Sequence, residues 1–186
     1  MCHVGFVDEG QPFVIPTGFA RMGDQVFIHG SAASRMLKTL ASGAPACLSV
    51  TILDALVLAR SAFHHSMNYR SVVVLGRAHE VEDPEQKRRA LGAIVEHIVP
   101  GRTPHVRGAS EQELRATRVM AFTLDEASAK VRSGPPKDDD ADYALPVWAG
   151  ELPLRLLPQA PVPDPALRAG VALPEHVSGY RPGRRG

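Results

Sequence analysis

The stretch Phe27-Ile28-His29-Gly30-Ser31-Ala32-Ala33-Ser34-Arg35-Met36-Leu37-Lys38 decides how this chain is read, because the apolar period changes within it. Up to His29 the pattern is that of a strand, Gln25 to His29, returning from a tight turn at Gly23-Asp24. After Gly30, Met36, Leu37 and Leu40 recur at helical spacing, and Gly43 supplies a stop. With the helix opening near Ser31, the residues Ser31, Ser34, Arg35 and Lys38 fall on one face, opposite the apolar stripe. Hydroxyls and unpaired backbone N–H groups at a helix start, with a guanidinium beside them, suit a phosphate group. Gly30 lets the backbone approach it closely. A serine N-cap followed by a solvated Arg/Lys face accounts for the same residues without a ligand.

Outward from this stretch the chain reads as short strands separated by turn signals. Upstream lie His3 to Asp8 and Phe13 to Arg21; downstream lie Pro45 to Leu53, Leu56 to Ser61, Ser71 to Val81 with a bulge at Gly76, and Arg118 to Asp125. Asp83-Pro84-Glu85-Gln86 opens a helix whose Leu91, Ile94, Val95 and Ile98 form a stripe that covers one side of the sheet. Ser110-Glu111-Gln112-Glu113 is a second capping box. The acidic run Asp138-Asp139-Asp140 reads as part of a solvated loop over residues 133–142, and Tyr143 to Leu157 supplies the last strands, around Trp148. From Pro158 onward Pro, Ala and Arg dominate without periodicity. The expected organisation is a mainly β, α+β domain over residues 1–157 and a tail over 158–186.

Composition bounds the function. In 186 residues, 21 Lys plus Arg nearly balance 20 Asp plus Glu, so no overall field attracts nucleic acid or an anionic membrane. The arginines between Arg181 and Arg185 are weak evidence for such contact. A chain of this length buries roughly 70% of its unfolded surface, enough for a core without disulfides or structural metal. The two cysteines, Cys2 and Cys47, form no CxxC pair and fit a reducing, cytoplasmic setting. No signal-peptide pattern opens the chain, and no apolar run approaches the ~20 residues of a membrane helix.

A second polar group, His64-His65-Ser66-Met67-Asn68-Tyr69-Arg70-Ser71, enters an otherwise apolar strand. A planar heterocycle needs such donors against an apolar bed. A metal site and an idle surface histidine pair are the rival readings. Adjacent histidines point to opposite faces of a strand, and no HExxH or CxxC is present, so no metal is expected. GxSxG, P-loop and GxGxxG motifs are absent as well, which removes support for common hydrolases and nucleotide folds.

Four segments taken in order carry a resemblance: "CHVGFVDEGQPFVIPTGFARMGDQVFIHGSAASRM" (2–36), "LVLARSAFHHSMNYRSVVVLGRAHEVED" (56–83), "EASAKVRSGPP" (126–136) and "LPVWAGELPL" (145–154). Together they resemble the pyridoxamine 5′-phosphate oxidase-like superfamily, and within it the flavin-nucleotide-binding branch that includes the nitroimidazole-resistance (Nim) proteins. The resemblance implies a six-stranded antiparallel split β-barrel flanked by short helices. It further implies a homodimer with FMN sites at the subunit interface, and redox chemistry on a small molecule such as a nitroaromatic or quinone, with NAD(P)H as a possible donor.

By the same resemblance His29, Gly30, Ser31, Ser34 and Arg35 hold the FMN phosphate. Pro16 and Thr17 run beside the isoalloxazine ring, Asn68, Tyr69, Arg70 and Ser71 line it from across the barrel, and Trp148 stands near the cofactor. His29 is the candidate catalytic or proton-supplying residue, or one that only binds the phosphate. Relatives carry a further segment before the "CHVGF" strand. True pyridoxamine phosphate oxidases end in an Arg-Leu-His motif, whereas here Glu151-Leu152-Pro153-Leu154-Arg155 follows Gly150, so vitamin B6 oxidation is not expected. The alternative is a non-catalytic flavin- or haem-binding module, with His29 or the His64-His65 pair as axial ligand.

Overall fold

The chain folds into two antiparallel sheets packed on each other, with helices closing one end and one face. The computed structural model describes residues 1–181. The first strands, β1 (Cys2–Asp8) and β2 (Gln11–Thr17), form a hairpin whose Glu9-Gly10 turn places both residues at positive φ. β3 (Phe19–Met22), β4 (Gln25–Ser31), α1 (Arg35–Ala41) and β5 (Pro45–Leu58) follow. Then come β6 (Ser66–Arg77), β7 (His79–Glu80), α2 (Pro84–Ile98), α3 (Glu111–Ala116), β8 (Thr117–Thr123), β9 (Glu126–Arg132), β10 (Gly150–Pro153) and α4 (Glu175–Ser178).

One sheet has six strands in the order β2-β1-β5-β6-β9, with β10 pairing the second half of β5; the other has the order β3-β4-β8-β7. The principal core lies between them. Val4, Phe6, Leu48 and Val74 from the first sheet meet Val26, Ile28, Met120 and Phe122 from the second, and Met36, Leu37 and Leu40 of α1 plug one end. The period-two burial of β1 follows from strand geometry, one face turning to this core, whereas Val26, Phe27 and Ile28 of β4 are buried in succession because both faces of the smaller sheet are covered. The opposite face of the smaller sheet, through Phe27, Val119 and Ala121, packs on Ala90 of α2 in a second core. Every second residue of β4 therefore faces α2, and His29 follows Phe27 in that series.

Several sequence expectations change. The expected strand Phe13 to Arg21 is two strands: the chain leaves one sheet after Thr17 and enters the other at Phe19, with Gly18 at the crossing. The expected pair Pro45 to Leu53 and Leu56 to Ser61 is one 14-residue strand, continuous through a bulge at Asp54. β6 begins at Ser66 rather than Ser71, because residues 66–70 already pair with β5. β9 pairs seven residues with β6 and was not foreseen as a strand. Of the Tyr143 to Leu157 segment only β10 is a strand; Tyr143 and Ala144 close a 3-10 turn, Asp140–Ala144.

The α2 stripe also differs. Asp83 caps the helix through Gln86 N and Pro84 follows it, as the sequence indicates. Ala90 and Ile94 are buried, but Leu91 and Val95 are half-buried and Ile98 is exposed, so part of the stripe faces an open space rather than the sheet. Past Pro153 the described chain is mostly irregular. It ends near α4, whose His176 ring stacks on His105 at 4.5 Å. Among the described residues no helix is long and apolar enough to cross a membrane, and no cluster of three or more His, Cys, Asp or Glu side chains stands ready for a metal. Most of the arginine cluster at the end of the chain lies outside the described residues.

Candidate functional site

The helix after β4 opens later than its residues suggest. Ser31 remains in β4, paired with Thr117 of β8, and Ser34 is the residue that precedes α1. The four residues Ser31, Ser34, Arg35 and Lys38 therefore do not share one helical face. They straddle a strand end, a turn and a helix start, because the ladder to β8 holds Ser31 extended. The turn is closed by Ser34 N donating to Ser31 O at 2.9 Å and by Ala33 N donating to Ser31 Oγ at 3.2 Å.

The Ser34 hydroxyl makes no capping hydrogen bond, which leaves it and the first N–H groups of α1 open to another acceptor. Arg35 stands 5.1 Å over the Phe13 ring and 3.8 Å from the Asp8 carboxylate, with 65% of its side chain exposed. Asp8 is fixed in turn by Thr39 Oγ1, which donates to Oδ1 at 2.8 Å. Gly30 has a packing reason to lack a side chain, since a Cβ there would stand 3.1 Å from Leu37 Cδ1.

His29 is half-buried; its Nδ1 is inaccessible and has no hydrogen-bond partner. Burial pushes its pKa below the ordinary histidine value, which keeps the ring neutral. It lines a cavity of about 620 Å³ under α2, with Leu91, Gly92, Val95 and Ile98 on one side and Thr103 and residues 106–109 on the other. Arg88 and Arg107 stand at this cavity, paired with Glu85 and Glu111 and with Glu113 respectively. Gly92 sits inside α2, where glycine costs about 1 kcal/mol relative to alanine, yet a Cβ there would meet nothing within 4 Å.

The other expected site residues lie elsewhere. Pro16 and Thr17 end β2, opposite His3 and Cys2. His3 pairs with Ser49 and Ser49 with Val73, so Pro16 and the Ser71 region of β6 are separated by three strand spacings, roughly 14 Å. Tyr69 lies under Lys130, and Arg70 grips Asp54 through two 2.9 Å bonds. Asn68 is buried and its amide is committed: Nδ2 donates to Gly134 O and to Glu151 Oε2, while Oδ1 accepts from Arg132. Trp148 is 68% exposed, with its ring against Gly150. Within one chain these residues do not converge on one point.

At the end of the large sheet where β5 meets β6, the acidic run is not wholly solvated. The Asp138 side chain is fully buried and accepts from Arg60 N, Ser61 N and the Arg60 guanidinium. Burial alone raises its pKa, but these donors outweigh it and hold the carboxyl below its ordinary value. The anchored turn carries Phe63, His64 and His65. His65 Nδ1 lies 2.9 Å from Ser61 O, and Phe63 is 89% exposed. Sequence reasoning missed Arg60, Asp138, Arg132 and Glu151, whose partners lie 64 to 83 positions away. It also missed the cavity, for which the interior glycine of α2 was the available signal.

Two stacked antiparallel sheets with a helix filling one end match split-barrel architecture. The family model described as pyridoxamine 5′-phosphate oxidase matches residues 1–131, and the chain belongs to that family. No curated protein matches. Among solved structures the chain is similar to the flavocytochrome Anf3 from Azotobacter vinelandii, with 44% identity over 97% of this chain and 84% of that one, TM-score 0.90. It is also similar to an FAD- and haem-binding protein from Mycobacterium smegmatis, with 41% identity over 96% and 87% of the two chains, TM-score 0.90. A protein from Bacteroides thetaiotaomicron described by 5-nitroimidazole antibiotic resistance is 25% identical over 69% of this chain and 74% of that one, TM-score 0.58. The nitroimidazole-resistance branch named by resemblance is thus less similar to this chain than the flavocytochrome and the FAD- and haem-binding protein.

Proposed function

We propose that this chain is a flavin-binding redox protein that also carries haem. The observation that carries the flavin part is the open start of α1: an uncapped Ser34 hydroxyl, the N–H groups of the first turn and a largely exposed Arg35, all beside a hairpin that fixes the arginine. This is the chemistry of a phosphate cradle. Gly30 and Ser31 shape its approach, and His29, neutral and next in line, is assigned to the phosphate end of the flavin, with a proton-supplying role as the alternative.

The isoalloxazine contacts are assigned to Pro16, Thr17, Tyr69, Ser71 and Trp148 from two copies of the chain, with barrel closure and the complete site belonging to the homodimer. Two features support this: the separation of Pro16 from Ser71 within one chain, and the exposed Ile52, Leu53, Leu56, Met67 and Leu75 on β5 and β6. Asn68 and Arg70 act as positioning residues, since their side chains are already bound to protein partners.

The haem part comes from the two relatives above 40% identity, and a feature of this chain supports it. Metal-ligating histidines hold their second ring nitrogen on a carbonyl or carboxylate. Among the described histidines, His65 has Nδ1 on the Ser61 carbonyl with no partner at Nε2, on a turn anchored by Asp138. His29 lacks that support, because its Nδ1 is bare. We therefore assign the axial ligand to His65. Bound together, a flavin and a haem supply two-electron uptake and one-electron delivery. NAD(P)H or another donor would load the flavin, and a small acceptor such as a nitroaromatic or quinone would unload it.

The test is an equilibrium titration with flavin. Arg35→Ala is expected to weaken binding about 10- to 150-fold, the scale of a lost charge-assisted hydrogen bond. Unchanged affinity removes Arg35 from the site.

A further inference from the structure

Helix α1 plugs one end of the space between the two sheets, the end where β4 finishes. The opposite end, where β4 begins and β8 finishes, is closed only in part by the last turns of α2, and it holds a cavity of about 540 Å³. That volume falls within the ~300–1,000 Å³ range of small-molecule sites. Leu48 and Val74, both buried, form its floor; half-buried Val50 and exposed Val72, paired two residues further out on β5 and β6, carry the apolar surface to the mouth. Phe19, Val26 and Leu124 stand across from them. None of the lining residues is assigned above to the flavin or to haem.

Arg21 is out of place on such a wall. Its register partner is Val26, and Phe19, two residues earlier, pairs with Ile28; both partners face the principal core, so strand geometry sets Arg21 on the core side of β3 as well. Its Nε donates to Gly23 O at 2.8 Å and Nη2 stays 3.9 Å from the Asp24 carboxylate, which steadies the guanidinium at the mouth and leaves Nη donors for another acceptor. The wall's other charged or titratable residues are Glu96 and His97. Glu96 accepts from Gly101 N and Thr103 N at 2.7 and 2.6 Å, so its carboxylate is committed to the loop after α2, and the His97 ring lies 4.5 Å from that of Phe19.

We propose that this cavity binds an aliphatic carboxylate of medium chain length, with the alkyl chain between the sheets and the carboxylate on Arg21. Valine and leucine side chains make up most of the wall, which suits a flexible chain better than a flat ring in need of stacking partners. The head group stays at the mouth, where Arg21 and water share it, so no charge is buried without a partner. A guanidinium matches a carboxylate with two parallel N–H donors, which a hydroxyl head group cannot use.

The experiment is calorimetric titration of the full chain with octanoate, butanoate and octan-1-ol, repeated on Arg21→Gln and Val72→Trp after a thermal melt has shown each to be folded. The full chain is expected to take up octanoate at one saturable site and butanoate at least tenfold more weakly, since each buried methylene is worth roughly a factor of four. Arg21→Gln should weaken octanoate at least about fivefold, the upper scale of an exposed ion pair, while octan-1-ol affinity stays within about twofold. Val72→Trp fills the mouth and should abolish binding of both; Arg21→Gln alters an exposed side chain and tests the proposal even where Val72→Trp does not fold. No saturable octanoate binding by the full chain, equal affinities for octanoate and butanoate, or normal octanoate affinity in either folded variant would overturn the proposal. Competitive displacement of octanoate by haemin or by a flavin would overturn it too, by giving the cavity to the cofactor.

Discussion

Asp138 and Arg60, 78 positions apart, join the acidic loop to the end of β5: the carboxylate accepts two backbone N–H groups and the Arg60 guanidinium, which itself lies 4.7 Å from the Tyr143 ring. The turn that presents His65 starts at the residues this carboxylate holds. Burying a carboxylate is tolerable only because three donors replace its water.

Breaking that contact has a pH signature. The folded pKa of Asp138 lies below its ordinary value of 3.8, so its contribution is present above that value and lost as pH falls through the folded one. Asp138→Asn should remove the acid-side dependence and lower the melting temperature at neutral pH. Thermal melts of both proteins from pH 7 down to pH 2 check this, and parallel curves would assign the acid sensitivity elsewhere.

Asn68 gives a prediction of size. Its buried amide bonds Arg132, Glu151 and the Gly134 carbonyl. Asn68→Leu keeps the number of side-chain heavy atoms but strands those partners, and should cost about 2–3 kcal/mol in urea unfolding. A cost near zero would mean that water replaces the amide without penalty.

Leu37 plugs the core from α1 and is fully buried. Leu37→Ala should cost about 2–5 kcal/mol through lost burial and a residual cavity. Because α1 also carries Arg35, flavin affinity should fall with it, which a titration at constant temperature would show.

The C-terminal segment should undock in acid. Burial, then the neighbouring His105 and Arg102, push the His176 pKa below the ordinary 6.5, with Glu96 opposing. The docked form favours neutral His176, so docking is fully present above pH 6.5 and is lost as pH falls from there through the lower folded value. With the intrinsic pH dependence of amide exchange divided out, hydrogen-exchange protection at residues 170–181 should fall between pH 7 and 5, and His176→Phe should flatten that change.

How much of this could be read in advance follows from the range of each interaction. The Asp83 cap, the Ser110–Glu113 box and the hairpin at Gly23 depend on neighbours within four residues, and the sequence shows them plainly. The cluster of hydroxyls and cations at Ser31, Ser34 and Arg35 is visible in the sequence, but not the place where the helix begins, because pairing of Ser31 with Thr117 overrides local preference. Asp138 looked solvated because its partner Arg60 is distant in sequence. Ile98 and Val95 looked like core because periodicity reports a helical face and not what covers it. β9 escaped notice because its residues are nearly all exposed and supply no apolar alternation.

The central claim, a flavin and a haem on one chain, meets its most direct test in the absorption spectrum of the homogeneous protein reconstituted with FAD and haemin, beside that of His65→Ala. The account predicts flavin absorption in both proteins and, in the parent chain, a sharp Soret band that shifts on reduction and is lost or broadened in the variant. A parent chain that lacks either the flavin or the haem after gel filtration would contradict it.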